Sequence, residues 1–283
     1  EIEPLEAKWL KQSSLGGLRF AKVSDEIHKK CYSYDINRFY PYLQIKQVNI
    51  PLNKPAFEIL DELPKDFLKT GVYRVKVEEN EQNILFSYNK YNLYTHTSIN
   101  QALKLGLSVE LIQDGKFNAM IYKGKFVSSQ RLNEVYKKLY NISKNCKTAK
   151  LIMNSIWGKV CQRNKTIKEY SYDGDEVIHL NYTDNIIRRP GGYEVETFGD
   201  DYYKYPFARL GTFLLSKGRS YLSNILQEHQ KYILYIHTDG WLSKKELNIK
   251  LDKNRNMGSI RLDNIYHNVQ IINKNTYKRF KKT

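Results

Sequence analysis

Two aspartates and one lysine-bearing stripe carry the chemistry available to this sequence. Asp35 closes the strand-like run of Ser33-Tyr34-Asp35-Ile36-Asn37-Arg38-Phe39-Tyr40-Pro41, and Asp239 lies in the turn of Tyr235-Ile236-His237-Thr238-Asp239-Gly240. Between them, Lys150-Leu151-Ile152-Met153-Asn154-Ser155-Ile156-Trp157-Gly158 has helical periodicity. Phosphoryl transfer from a nucleoside triphosphate needs two divalent cations, one to activate the attacking hydroxyl and one to neutralise the triphosphate. Two carboxylates able to bridge both ions are the minimum the protein must supply. At 3.6 residues per turn, Lys147, Lys150, Asn154 and Trp157 fall on one helical face. Two cations, an amide and a flat ring along one stripe can serve triphosphate, sugar and base in succession. Each segment alone has a plainer reading: turn or cap aspartates, or a solvated lysine face with Trp157 in the core. Their joint occurrence in this order points to nucleotidyl transfer.

Together the three segments resemble the polymerase motifs of family B DNA polymerases, especially the protein-primed branch of phages and linear plasmids. The resemblance runs from about Ser14 to Tyr277. It implies that Asp35 and Asp239 are the catalytic carboxylates and, with the Ile36 carbonyl, the ligands of two Mg²⁺ ions, Mn²⁺ being possible. It places Lys150 on the triphosphate, Asn154 in the nucleotide pocket, and Trp157 against the nascent base pair where the family usually has tyrosine. Lys138 (or its neighbour Lys137) becomes a second phosphate ligand. Tyr40, five residues after Asp35, would stack beneath the incoming sugar and exclude a 2′-hydroxyl.

The family's last motif usually reads Tyr-x-Asp-Thr-Asp-Ser, and here His237 replaces its first aspartate and Gly240 its serine. Imidazole is a poor ligand for Mg²⁺ and an acceptable one for Mn²⁺. His237 and Thr238 are therefore expected beside the metal ligands rather than among them. A preference for Mn²⁺ and a domain that has lost catalysis are the other two outcomes. Ser14-Leu15-Gly16-Gly17 resembles the family's Tyr-x-Gly-Gly turn, whose Gly16 and Gly17 would let the backbone approach a DNA phosphate. Lys274-Asn275-Thr276-Tyr277 resembles the Lys-x-Tyr that grips the primer end, with one extra residue, so Lys274 or Lys278 supplies the charge.

Composition agrees with a polyanionic partner. The net charge is +16, from 46 Lys plus Arg against 30 Asp plus Glu, and 23 tyrosines supply faces for bases and sugars. Lysines far outnumber arginines. A codon bias toward Lys, Asn, Ile and Tyr would give a similar balance, so the motifs decide the matter. Three cysteines without a CxxC pair argue against structural zinc or a disulfide framework and fit a reducing, intracellular, cytoplasmic setting. No apolar run is long enough to span a membrane, so no membrane partner is expected.

The elements that must position these residues read as α+β. Cys31 to Ile36 reads as a buried strand, with a helix from Phe39. Val72 to Glu78 pairs with Ile84 to Tyr88. Ser98 caps a helix over 99–105, and Asp114-Gly115 closes a hairpin between Val109–Gln113 and Asn118–Tyr122. Helices are predicted over 128–143, 147–158 and 206–229, and strands over 170–197, 232–236 and 259–280. The expected architecture is a polymerase right hand: an antiparallel-sheet palm, short two-helix fingers, a reduced or absent thumb and no exonuclease domain. Its divisions are a linker with a DNA-contacting turn (1–30), palm (31–125), fingers (126–165), palm (166–262) and the start of a thumb or basic tail (263–283).

The function expected is that of a template-directed DNA polymerase core that transfers dNMP from dNTP to a primer 3′-hydroxyl, or to the hydroxyl of a priming protein. Its partners would be primer-template DNA, dNTPs and another chain supplying thumb and exonuclease functions. Between the Asp35 and Lys150 motifs the interval is short for a large priming-protein insertion. Two competing classes are a catalytically degenerate nucleic-acid-binding scaffold and a primase or terminal transferase.

Overall fold

The strands that bring the two aspartates together are apolar on one face. In His28–Ile36, Tyr34 and Ile36 are buried, and Asp35 between them turns to the opposite face. Ile236 in Ile233–His237 and Trp241 in Gly240–Ser243 are buried in the same apolar cluster. The Tyr34 and Trp241 rings stack with centroids 5.4 Å apart and planes 11° from parallel. This computed structural model describes residues 1–46, 48–64, 66–128, 132–173, 185–252, 254 and 256–280. Its central sheet is antiparallel and six-stranded, in the order Arg19–Ala21, Ile233–His237, Gly240–Ser243, His28–Ile36, Ile260–Asn273, Thr276–Arg279.

Among the described residues six α-helices follow in chain order: α1 (Pro4–Ser13), α2 (Phe39–Ile45), α3 (His96–Lys104), α4 (Asn133–Ser143), α5 (Lys147–Val160) and α6 (Arg209–Leu226). The last is buried along most of its length and joins the apolar side of the central sheet through Leu210, Phe213, Leu214 and Leu222. Short polar contacts tie other helices to it. Thr212 Oγ1 donates to the Leu10 carbonyl of α1 at 3.1 Å, and Gln101 Nε2 of α3 donates to Ser223 Oγ at 2.9 Å.

Helix α1 corrects the expectation of a linker before Cys31. Pro4 sits in its first turn, where a missing N–H costs nothing, and Ala7, Trp9 and Leu10 are buried. Its Glu6 is 1% exposed and receives Arg209 Nε at 2.5 Å, Arg209 Nη2 at 3.0 Å and the Tyr122 hydroxyl at 2.7 Å. This buried network joins α1, α6 and a second sheet.

That second sheet runs Pro55–Glu58, Ala119–Tyr122, Gly71–Val77, Leu93–Thr95. Two expected pairings fail here. Gly71–Val77 pairs with Leu93–Thr95 rather than with residues 84–88, which form no strand. Val109–Leu111 and Ala119–Tyr122 do not pair with each other across Asp114-Gly115. Both pair with Gly71–Val77, through residues 75–77 and 71–73 respectively. The reason is Arg74, which donates to both Asp114 carboxylate oxygens at 2.9 and 2.6 Å and to the Phe117 carbonyl at 3.2 Å. It holds the Asp114 turn as a bulging loop beside its own strand.

The α3 N-cap is Thr95 rather than Ser98: Thr95 Oγ1 accepts from the Ser98 N–H at 3.2 Å. Helices α4 and α5 form the expected pair, though α4 begins at Asn133. The predicted helix start at residues 129–131 and the middle of the predicted 170–197 segment, residues 174–184, lie outside the described residues. After α5 comes a third sheet in the order Arg163–Ser171, Gly192–Tyr203, Asn185–Arg189. The 206–229 helix resolves into a 3₁₀ turn at Pro206–Ala208, α6, and a second 3₁₀ segment at Gln227–Tyr232. The boundary expected at 262/263 falls inside the strand Ile260–Asn273 of the central sheet.

Removing one partner of a buried ion pair leaves the other charge stranded. Arg209→Ala should therefore lower unfolding free energy by roughly 3–5 kcal/mol, as read by urea denaturation followed by circular dichroism.

Candidate active site

Sheet register brings the two aspartates together. Asp35 pairs with Gly240 on one neighbouring strand and with Arg261 on the other. His237 pairs with Gly240, so Thr238 and Asp239 form a two-residue turn at the end of the adjacent hairpin. Its geometry is closed by the Ile36 N–H, which donates to the Asp239 carbonyl at 2.9 Å. Thr238 adopts φ 64°, a conformation uncommon for a β-branched residue, and its N–H donates to the Leu18 carbonyl at 2.9 Å.

Two glycines make room for this turn. A Cβ on Gly17 would meet Thr238 Oγ1 at 2.8 Å and Thr238 Cα at 2.9 Å, so only glycine lets the segment lie against the turn. One on Gly240 would stand 3.1 Å from the Tyr34 carbonyl and 3.9 Å from Asp35 Oδ1. Gly16 meets nothing within 4 Å, but its carbonyl and that of Leu15 each accept from Arg219 Nη1 at 2.8 Å. Arg219 is 7% exposed, and burial pushes its guanidinium down to about 10. Helix α6 thus supports the Asp239 turn through Arg219, the Gly16–Gly17 segment and Thr238.

A cleft of about 290 Å³ opens at this point, lined by Asp35, Ile36, Tyr40, Lys150, Asn154 and Asp239 among others. Six of the residues singled out from sequence therefore converge. Burial, and then the charge of Asp35 beside it, pushes the Asp239 carboxyl up to about 6. Burial also raises Asp35, against the lowering pull of Arg261. Lys150 favours ionisation of both. The Tyr40 hydroxyl is pushed up to about 12 by burial, and its ring lies 5.2 Å from that of Trp157. Trp157 is half-buried against the core and does not line the cleft. Lys147 and Lys138 are exposed on α5 and α4, outside it.

His237 faces elsewhere. Its ring lies nearly parallel to that of Tyr235, with centroids 6.2 Å apart, and lines a second cavity of about 310 Å³ together with Ser33, Asp35, Tyr266 and Tyr277. Tyr277 meets the Tyr235 ring edge-on at 5.5 Å. Lys274 lies exposed in the turn before Thr276, and the neighbouring Asn275 receives Arg19 Nη1 at 3.1 Å. Asp35 stands between the two cavities.

Sequence reasoning missed three arginines at this site. Arg261 contacts Asp35 Oδ2 through Nε at 3.1 Å and Nη2 at 2.9 Å. Arg38, at φ 53°, lines the cleft and donates to Asn37 Oδ1 at 3.0 Å and to Ser143 Oγ of α4 at 3.3 Å, joining the Asp35 turn to the helix pair. Arg219 is the third. The signal was present: in a chain where lysine dominates, a fork-shaped donor is retained where one side chain must hold two acceptors.

Since Asp239 binds its proton more tightly in the folded chain, stability should fall as pH rises from about 4 to about 6. Asp239→Asn should remove that loss, giving roughly 1–3 kcal/mol of added stability at pH 7.5 and almost none at pH 4. Thermal unfolding at the two pH values measures the difference.

Comparison with known proteins bears on the family and the fold. The profile of type B DNA polymerases of organelles and viruses matches residues 6–213. No curated protein matches the chain. Among solved structures, the fold is similar to phi29 DNA polymerase complexed with single-stranded DNA, with a TM-score of 0.69 and 15% identity over 98% of this chain and 50% of that one. It is also similar to phi29 DNA polymerase complexed with primer-template DNA and incoming nucleotide substrates, with a TM-score of 0.67 and 15% identity over 95% and 49%. The chain spans about half the length of these polymerases. No helix among the described residues is long and apolar enough to cross a membrane. The protein belongs to the type B DNA polymerases of organelles and viruses.

Proposed function

We propose that this chain carries the nucleotidyl-transfer centre of a template-directed DNA polymerase, moving dNMP from dNTP to a primer 3′-hydroxyl or a priming-protein hydroxyl. One observation carries the reading: Asp35, Asp239, Lys150, Asn154 and Tyr40, from four separate elements, line one cleft. The central sheet takes the part of the palm and the α4–α5 pair that of the fingers. DNA and nucleotides appear in the described complexes of the phi29 polymerase, and they suit the positive charge of this chain.

The donor set fits divalent cations. Both carboxyls are raised by burial, and Asp239 further by Asp35, so a cation placed between them relieves a repulsion that Lys150 and Arg261 offset only in part. Among the described residues no group of three or more His, Cys, Asp or Glu side chains gathers. That suits hard ions whose remaining ligands are water, a backbone carbonyl and the substrate's own phosphates. Asp35, Asp239 and the Ile36 carbonyl would hold two Mg²⁺ ions, with Mn²⁺ as an alternative. When bound, such ions neutralise the triphosphate and raise the reactivity of the attacking hydroxyl.

The chain's own residues do the rest. Lys150 pairs with the triphosphate, and Asn154, one helical turn on, meets the nucleotide beside it. Tyr40, backed by Trp157, forms the wall beneath the sugar and leaves no volume for a 2′-hydroxyl. Trp157 thus acts behind Tyr40. Lys147 and Lys138 add to the field that draws polyanions toward the cleft. The cavity of His237 and Tyr277 receives the primer end, with Lys274 next in the chain to the Asn275 that lines it, and the Gly16–Gly17 segment passes close to DNA.

A non-catalytic nucleic-acid-binding reading draws on the Asp35–Arg261 pair, in which a carboxylate is already neutralised. Primer extension separates the two. With Mg²⁺ or Mn²⁺ the chain should extend a primed template, and Asp239→Asn should reduce product to background. Extension surviving that substitution refutes the assignment, and product formed without template identifies a terminal transferase. Tyr40→Ala should raise ribonucleotide incorporation roughly tenfold or more, the equivalent of about 1.4 kcal/mol of steric exclusion. Unchanged sugar selection would remove Tyr40 from that role.

A further inference from the structure

Asp35 already has a cation on it. Arg261 stands directly across from it on the neighbouring strand, and both Nε and Nη2 reach the same carboxylate oxygen, Oδ2. A second acceptor is within reach: Arg261 Nη2 lies 3.1 Å from Asp263 Oδ1. On this strand the register slips between Leu262 and Asn264, so Asp263 is the extra residue of a β-bulge. Residues 261 and 263 of a strand share a face, and the bulge sets Asp263 outside the register with His28–Ile36 while its carboxylate stays beside the Arg261 guanidinium. The arginine therefore sits between two carboxylates, one in the cleft and the other, 42% exposed, lining the neighbouring cavity of His237 and Tyr277.

A guanidinium and a divalent ion on one carboxylate oxygen repel each other at close range, in a site partly shielded from water. With Arg261 on Oδ2, either the ion meets that repulsion and binds weakly through Oδ1, or the arginine leaves. Leaving here costs little structure. Arg261 is 32% exposed and already touches Asp263, so a side-chain rotation exchanges one carboxylate for the other without moving the strand.

We propose that Arg261 is an exchangeable counter-cation. It holds Asp35 while no divalent ion is present and transfers to Asp263 when one binds. It is a positioning residue that sets how strongly the cleft takes metal, and it takes no part in the chemical step. This rests on the reading of Asp35 and Asp239 as cation ligands. A ligand must displace the competing state before it binds, so apparent affinity is reduced by the fraction of Asp35 that Arg261 occupies.

The test uses Mn²⁺ alone, titrated into the full chain without DNA or nucleotide and followed by electron paramagnetic resonance. Circular dichroism confirms that each variant is folded. Arg261→Gln should bind Mn²⁺ roughly tenfold more tightly than the unmodified chain. Asp263→Asn should bind several-fold more weakly, because the arginine has lost its alternative partner. The double variant R261Q/D263N should behave as R261Q does. A D263N loss that persists when Arg261 is absent overturns the proposal, since Asp263 would then act on the ion directly and Arg261 only through its charge. Unchanged or weaker binding by R261Q overturns it as well. Asp35→Asn distinguishes failure of the underlying reading: if it leaves Mn²⁺ binding untouched, Asp35 is no ligand at all and both inferences fall. If it abolishes binding while R261Q changes nothing, only the exchange is wrong.

Discussion

A single backbone hydrogen bond, from the Ile36 N–H to the Asp239 carbonyl at 2.9 Å, fixes the relation between the two aspartates. It closes the end of a sheet in which Asp35 lies opposite Gly240 and Asp239 turns back just beyond it. Any slip by one residue in that register would carry Asp35 to the apolar face and bring Tyr34 or Ile36 into the cleft. Apolar pairing on the buried side, with Trp241 stacked on Tyr34, resists such a slip. The core of this protein and the geometry of its site are thus one constraint seen from the two faces of a sheet.

Support for the Asp239 turn comes from far along the chain. Thr238 at φ 64° is held by the Leu18 carbonyl and pressed by Gly17, and the segment before Gly17 hangs from Arg219 of α6. Helix α6 is in turn anchored by the Glu6–Arg209–Tyr122 network. Buried arginines of this kind are costly to desolvate, and they persist where one side chain must satisfy several acceptors at once. Rigidity in the turn suits a ligand that must meet a cation at a fixed distance.

The site itself is held under electrostatic tension. Burial, and then repulsion from Asp35 in the same cleft, raises Asp239 to about 6. Lys150 relieves both from α5, and Arg261 relieves Asp35 from the sheet. His237, the departure from the family's usual motif, leaves the cleft without a third carboxylate and turns its ring to the cavity of Tyr277. His237 ends its strand and Asp239 lies in the turn beyond it, where Thr238 at φ 64° breaks the alternation, and the two side chains line different cavities.

Much of the site was legible in the sequence because its parts are local. A carboxylate after an apolar strand, a two-residue turn between strands, and a stripe at helical spacing each depend on residues close in the chain. Asp35, Ile36, Tyr40, Lys150, Asn154 and Asp239 accordingly line the same cleft. What local pattern could not settle was pairing between distant segments. Helix α1 reads as a linker until Arg209 supplies a partner for Glu6, some 200 residues away. The Asp114 turn reads as a hairpin until Arg74 captures its carboxylate and both flanking strands join Gly71–Val77 instead. Arg261 had no meaning by itself. Only the register of Ile260–Asn273 against His28–Ile36 sets it on Asp35, because a strand's neighbour is selected by the burial of whole faces and not by any residue within it.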